Sequence, residues 1–421
     1  MQEPSYRPGW DAAVEVRVIA LAANGVQLMP AAPFAIDIPQ TTLDDLQERL
    51  QRTRWGEAIA DDWTSGVSSS YLRQLGEYWS TTFDWRAQER CINRWPQFRA
   101  DVDGVGIHFM HVRGKGPRAL PLILTHGYPD SFLRFLKVIP LLTDPGAHGG
   151  DPGDAFDVVV PSIPGFGFSD RPPRTGFTFH VGQLWHSLMT DVLGYERYGA
   201  HGGDWGTTIT EQLARDHGRA VAGIHLTDVP FWHVFQPPKD PTRSEAAFLE
   251  TNAEWQKTEG AYAFIQGTRP RTLAAALRDS PIGLAAWLVD KFHAWSDCHG
   301  DIETRFTKDE LLTNAMIYWA TDTIETSFLP YWDFVNAGAM TWIAETVKRW
   351  TGSSTVPAGF AIFPKDISQP PRRWAERFFN VQRWTEMPAG GHFAAMEEPE
   401  RLVDDIRAFF RPLRADRHHT P

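Results

Sequence analysis

The chain has 421 residues, a length that suggests one large domain with insertions or two closely packed ones, and with 42% hydrophobic and 22% charged residues it has an ordinary globular balance. A net charge of −11 argues against nucleic acid or an anionic membrane as partner. No apolar run reaches the roughly 18 residues that a spanning helix needs, and two cysteines, Cys91 and Cys298, make neither a disulfide framework nor a metal-ligand cluster, which permits a reducing compartment.

Residues 1–32 read as an extension with at most one added strand. Its apolar stretch, residues 14–30, contains Arg17 and Asn24 and follows Glu3 and Asp11, a poor signal-peptide pattern. Over residues 38–58, Leu43, Leu46 and Leu50 recur at helical spacing, with Thr42 as the expected cap and Asp45 as its capping-box partner. Residues 71–79 fit a second amphipathic helix, and residues 104–114 alternate like a strand. From residue 119 the pattern changes to continuous apolar runs ended by Gly and Pro, at 120–128 and 156–169, the mark of buried parallel strands. Residues 198–206 lead into a helix that runs to about 216, and 221–230 is a further strand. Residues 231–345 lose this rhythm and read as an inserted helical lid rich in aromatics. Strand character returns at 357–366 and 381–393, and 399–410 is a closing helix. Sheet, lid and sheet in this order predict an α/β-hydrolase fold with a mostly parallel central sheet. The expected division is 1–32, 33–117, 118–230, 231–345 and 346–415. Eighteen Trp and 26 Phe read first as a large aromatic core, with the alternative that part of them line an apolar substrate cavity.

Three places carry chemistry. Gly202-Gly203-Asp204-Trp205-Gly206 has the small-x-X-x-small spacing of a nucleophile elbow, with Asp where Ser or Cys is usual. In residues 125–132, THGYPDSF, the backbone N–H of Tyr128 and that of Trp205 could form an oxyanion hole, while His126 is assigned to structure. In residues 387–400, His392 follows a strand and two glycines, where the base of this fold sits. The acid that orients it is either Asp366 or Asp228, each at a strand end.

A carboxylate has no proton to give at neutral pH, so it attacks directly at saturated carbon and forms an alkyl ester on the enzyme. His392 would then activate water to hydrolyse that ester. The substrate must carry a leaving group, either an epoxide oxygen or a halide. An epoxide needs a proton donor as the ring opens, and Tyr262, Tyr318 and Tyr331 in the lid are candidates. Trp205 fits a halide site and equally an apolar wall.

Several segments jointly resemble microsomal-type epoxide hydrolases and their bacterial relatives: residues 33–55 (PFAIDIPQTTLDDLQERLQRTRW), 83–98, THGYPDSF, 161–170, HGGDWG, 267–288 and GGHFAAMEEPE. The resemblance makes 33–117 an N-terminal epoxide-hydrolase segment. It implies Asp204 as nucleophile, His392 as base, Asp366 as the acid and Tyr262 as a ring-opening tyrosine. Tyr331 matches the second, unless the register slips by two and Leu329 takes its place. The chain departs from the family at Tyr128 and Asp130, where Trp and Gly are more usual; Asp130 is expected to alter the pocket rim. The implied function is hydrolysis of a bulky apolar epoxide to a vicinal diol, with a haloalkane dehalogenase as the alternative. No metal and no cofactor are expected. The small-molecule epoxide is the partner, homodimerisation is left open, and the location is expected to be cytoplasmic, without the membrane anchor of the mammalian members.

Overall fold

The computed structural model describes residues 30–56, 60–336, 345 and 353–414. The apolar stretch of the N-terminal extension lies outside these, as does the end of the expected lid.

One nine-stranded sheet organises the molecule: β1 (Ala31–Phe34), β2 (Gln97–Val102), β3 (Val105–Val112), β4 (Leu120–Thr125), β5 (Phe156–Pro161), β6 (Tyr198–Gly202), β7 (Val221–Leu226), β8 (Pro357–Ile362) and β9 (Asn380–Glu386). Their spatial order is β1-β2-β3-β5-β4-β6-β7-β8-β9. The strands from β4 to β9 pair in parallel, and β1, β2 and β3 extend the sheet antiparallel. This is the α/β-hydrolase fold. Every residue of β5, β6 and β7 is buried, which is why these strands read as unbroken apolar runs rather than alternating ones. Leu122, Ile123 and Leu124 of β4 have no exposed surface; burial of each contributes roughly 2 kcal/mol.

Strand β2 was not expected, because Arg99 and Asp101 break up its apolar pattern. Its signal is the turn. Val102 pairs with Val105 across Asp103-Gly104, and both turn residues take positive φ, 52° and 82°. That is the type I′ geometry for which an Asp-Gly pair is suited.

The first helix corrects the capping expectation. It starts at Gln40, with Pro39 in the capping position and no side-chain cap, so Thr42 lies inside the first turn. Two facts explain this. Asp45 is a methylene shorter than the Glu of a capping box, and it pairs instead with Arg49 at 2.8 Å. The approach to the helix is also fixed from outside: the Ile36 N–H donates to Asn93 Oδ1 (2.9 Å) and the Ile38 N–H to Glu89 Oε1 (2.8 Å). Where Glu does stand three residues after Thr, at Thr242/Glu245 and Thr307/Glu310, both reciprocal boxes form. The expected second helix spans Ser69–Thr81, capped by Ser68.

Between β7 and β8 the chain leaves the sheet. The described residues there form the helices Arg243–Thr258, Ala261–Thr268, Pro270–Asp279, Pro281–Ala294, Lys308–Thr321 and Leu329–Asn336. The helix Trp205–Asp216 follows β6 directly and packs on β4, β6 and β7, while Pro399–Phe410 packs on β7, β8 and β9.

Candidate active site

Strand β6 ends at Gly202, and the helix beginning at Trp205 starts three residues later. The chain makes this turn by holding Asp204 at φ 56°, ψ −128°, a region that a residue with a Cβ occupies only at a cost. The flanking glycines are a steric requirement. A Cβ on Gly202 would lie 2.2 Å from the Gly206 carbonyl oxygen, and one on Gly206 would lie 2.1 Å from that of Thr125. The turn lifts the Asp204 carboxylate above the sheet into a buried setting where its side chain is 9% exposed.

One oxygen of that carboxylate is held by the backbone. Asp204 Oδ1 accepts from the Tyr128 N–H at 2.9 Å, and the Trp205 N–H also favours the ionised form. Burial pushes the Asp204 pKa above the usual carboxylate value; the His392 imidazole and the two N–H groups pull it back part of the way. The loop that carries Tyr128 is well anchored. The Gly127 N–H donates to Asp130 Oδ1 (3.1 Å), and Asn314 Nδ2 donates to the Pro129 carbonyl (2.8 Å). Asp130 is 1% exposed and forms an ion pair with the equally buried Arg134. It therefore stiffens the loop from beneath and does not shape the pocket rim, as the sequence had led us to expect. His126 is neutralised by burial and accepts from the Ile163 N–H at Nε2 (3.2 Å), a structural place.

The other oxygen faces His392. Asp204 Oδ2 lies 3.6 Å from His392 Nε2, and that nitrogen makes no hydrogen bond to a protein atom. On the far side of the ring, Nδ1 bonds Asp366 Oδ1 at 2.7 Å. Burial lowers the imidazole pKa, but the charge and hydrogen bond of Asp366, together with the charge of Asp204, outweigh it and leave the net value above 6.5. Asp228 does not take this position. Its Oδ1 accepts from the Val229 N–H at 2.6 Å, and burial, then the neighbouring charge of Asp366, push its pKa well above the usual carboxylate range.

Tyr262, on helix Ala261–Thr268, and Tyr331, on helix Leu329–Asn336, meet over this centre with ring centroids 5.6 Å apart at 76°. Tyr331 also stands edge-on to Trp205 at 5.3 Å, and Tyr262 packs on Trp295 at 5.0 Å, which in turn touches the His392 ring at 5.4 Å. Burial raises the pKa of both phenols, and the Asp204 charge adds to the effect. Tyr318 takes no part: its hydroxyl donates to the Asp130 carbonyl at 2.8 Å.

Comparison with known proteins shows the family of the chain. The family described as "Epoxide hydrolase N terminus" matches residues 31–135, and the one described as "alpha/beta hydrolase fold" matches 121–288. A relative from Stigmatella aurantiaca (strain DW4/3-1) that carries an epoxide hydrolase name is 43% identical over 386 residues, 91% of this chain and 85% of its own. The chain belongs to the epoxide hydrolase family. Epoxide hydrolase 1 of Sus scrofa is 36% identical over 404 residues, covering 90% of this chain and 88% of that protein. The crystal structure of the juvenile hormone epoxide hydrolase of the silkworm Bombyx mori matches with a TM-score of 0.81 at 26% identity, over 93% of this chain and 96% of that one.

Sequence reasoning missed several residues that shape this epoxide hydrolase centre. Arg134 donates to the His392 carbonyl. Glu397, buried and pushed up to about 7 chiefly by burial, accepts from the N–H groups of Gly391 (3.0 Å), Phe393 (3.0 Å) and Asp297 (2.8 Å), which clamps the His392 loop to the helical insertion. The His392 N–H itself donates to the Trp295 carbonyl at 2.8 Å. No spacing rule points to Arg134; Glu397 stands in the GGHFAAMEEPE segment but has no motif signal of its own. Among the described residues, no helix is long and apolar enough to cross a membrane, and no group of three or more His, Cys, Asp or Glu could hold a metal.

Proposed function

We propose that this enzyme opens an organic, bulky and apolar epoxide to a vicinal diol through a covalent ester on Asp204. One observation carries the reading: two phenols meet over a buried carboxylate whose Oδ1 is already held by the Tyr128 N–H. Asp204 Oδ2 attacks an oxirane carbon, the carbon–oxygen bond of the ring breaks, and Tyr262 or Tyr331 donates its proton to the leaving alkoxide. A water molecule, deprotonated by His392 Nε2, then attacks Asp204 Cγ. Negative charge builds on Oδ1, which the Tyr128 N–H already holds, with the Trp205 N–H as the second donor to the carboxylate. Asp366 stabilises the imidazolium. Collapse breaks the bond between Cγ and the ester oxygen, the imidazolium gives its proton to the leaving diol oxygen, the proton left on Asp204 returns to the phenolate, and the water oxygen stays in the Asp204 carboxylate. The aromatic walls formed by Trp205, Phe231 and Trp295 support an apolar substrate.

A halide leaves without a proton, so phenol donors distinguish this reading from haloalkane dehalogenation. Tyr262→Phe and Tyr331→Phe are each expected to lower the rate of adduct formation from an aryl epoxide by about 10- to 100-fold, and the double variant by more than either. Release of halide from haloalkanes, with no effect of the double variant, would favour dehalogenation instead.

The pH dependence follows from His392. The base must be neutral, and its folded pKa lies above 6.5. In the free enzyme the imidazole is neutral at higher pH and gains its proton as pH falls through that raised value, so ester hydrolysis is favoured on the alkaline side. Esterification of Asp204 also removes a charge that holds the imidazole up, so the base is neutralised more readily in the intermediate than in the free enzyme. The acid limb of the hydrolysis step, followed by stopped flow, is expected at lower pH than the His392 titration of the free enzyme followed by NMR.

A further inference from the structure

Helix Ala261–Thr268 presents two buried side chains on one face, Tyr262 and, one turn further on, Gln266. Gln266 is 0% exposed, yet neither its Oε1 nor its Nε2 finds a hydrogen-bond partner in the protein. Exchanging the two amide atoms changes nothing, since both are unpaired. An amide buried in this way bears the whole desolvation cost of both its groups, and such groups are rare enough to call for a reason. The setting supplies one. The Gln266 amide stands close enough to the hydroxyl of Tyr128 to lower its pKa, yet no hydrogen bond of ordinary length joins them. That hydroxyl accepts from Trp287 Nε1 at 2.6 Å, which uses its oxygen and not its proton. The Tyr128 ring lies parallel to Tyr262 at 6.2 Å, on the wall of the proposed ring-opening site.

We propose that the Gln266 amide and the Tyr128 hydroxyl form a polar subsite for a carbonyl group of the substrate, one helical turn, a rise of about 6 Å, along the helix from Tyr262. The proposal rests on ring opening at Tyr262 and specifies its substrate class: an epoxide whose chain bears a carbonyl three to four bonds away. In a pocket otherwise walled by aromatic rings, one polar pair of this kind fixes which way the substrate lies. It also discriminates against an analogue without the acceptor, because the amide then stays unpaired when the site closes on apolar carbon.

The test compares a γ,δ-epoxy methyl ketone with its isostere in which CH2 replaces the carbonyl oxygen. The wild-type enzyme is expected to favour the ketone by at least about tenfold in kcat/KM. Gln266→Leu, and independently Gln266→Met, which is closer to Gln in shape, should bring that ratio to near one; turnover of the isostere reports that each variant is folded. A wild-type ratio near one, or a preference that survives both substitutions, overturns the subsite. If the wild-type enzyme opens neither compound, the ring-opening reading has failed instead. Calorimetric binding of the same two compounds then decides the subsite: at least about tenfold tighter binding of the ketone supports it, and equal binding overturns it.

Discussion

Asp204→Ala is expected to lower epoxide turnover by about 10⁴-fold or more while the protein still folds. The loss is large because no neighbouring group can replace the nucleophile. Asp228 is bonded to its own loop, with its pKa pushed up by burial, and Asp366 is engaged with His392. The fold should persist because Asp204 costs stability where it stands. It is a buried carboxylate with a raised pKa at a positive φ, so its removal relieves desolvation while leaving the Tyr128 N–H without its acceptor. These opposed terms are each of about 1–3 kcal/mol, and the melting temperature should move by only a few degrees. Unfolding of the variant, or turnover within about tenfold of wild type, would remove Asp204 from the proposed role.

His392→Gln separates the two halves of the reaction. Gln keeps a donor toward Asp366 Oδ1, so the buried acid is not left without a partner, but it cannot accept a proton from water. Adduct formation needs only Asp204 and the phenols and should proceed. Hydrolysis should slow by about 10²- to 10⁴-fold, the range that a positioned base supplies. Intact mass spectrometry of the variant mixed with an aryl epoxide should therefore show protein heavier by one substrate molecule, with the addition on the peptide that contains Asp204. A variant that still makes diol but never carries an adduct would mean that water attacks the epoxide directly, with His392 as its base.

Much of this centre was legible in the chain. A buried parallel strand, a strained turn and a helix leave few choices of residue, so the glycines around Asp204 announced the elbow before any coordinates: at positions 202 and 206 the next backbone stands barely 2 Å from where a Cβ would go. The capping boxes at Thr242/Glu245 and Thr307/Glu310, found in the structure, obey the same short-range logic, because capping is a local event between residues one turn apart. The same rule failed at Thr42, where the helix start is set by Asn93 and Glu89, about fifty residues away.

The sequence by itself determined the fold class, the elbow with its carboxylate and the histidine loop, since each rests on short-range backbone sterics or on apolar runs of fixed period. The residues alone left Asp366 and Asp228 and three lid tyrosines open, and the resemblance narrowed them; the tertiary structure places Asp366 on His392 Nδ1, brings Tyr262 and Tyr331 together, and shows that Asp130 supports the Tyr128 loop from inside. Those choices depend on where the helical insertion lands on the sheet, and that is fixed by packing between segments far apart in the chain: the Trp295 carbonyl on the His392 N–H, Glu397 on Asp297, Asn314 and Tyr318 on the loop of Tyr128. Tyr318 and Tyr331 are both buried aromatics on helices of the insertion, and a one-dimensional pattern cannot distinguish them. The direction in which each helix turns its face separates them, and long-range contact alone sets that direction.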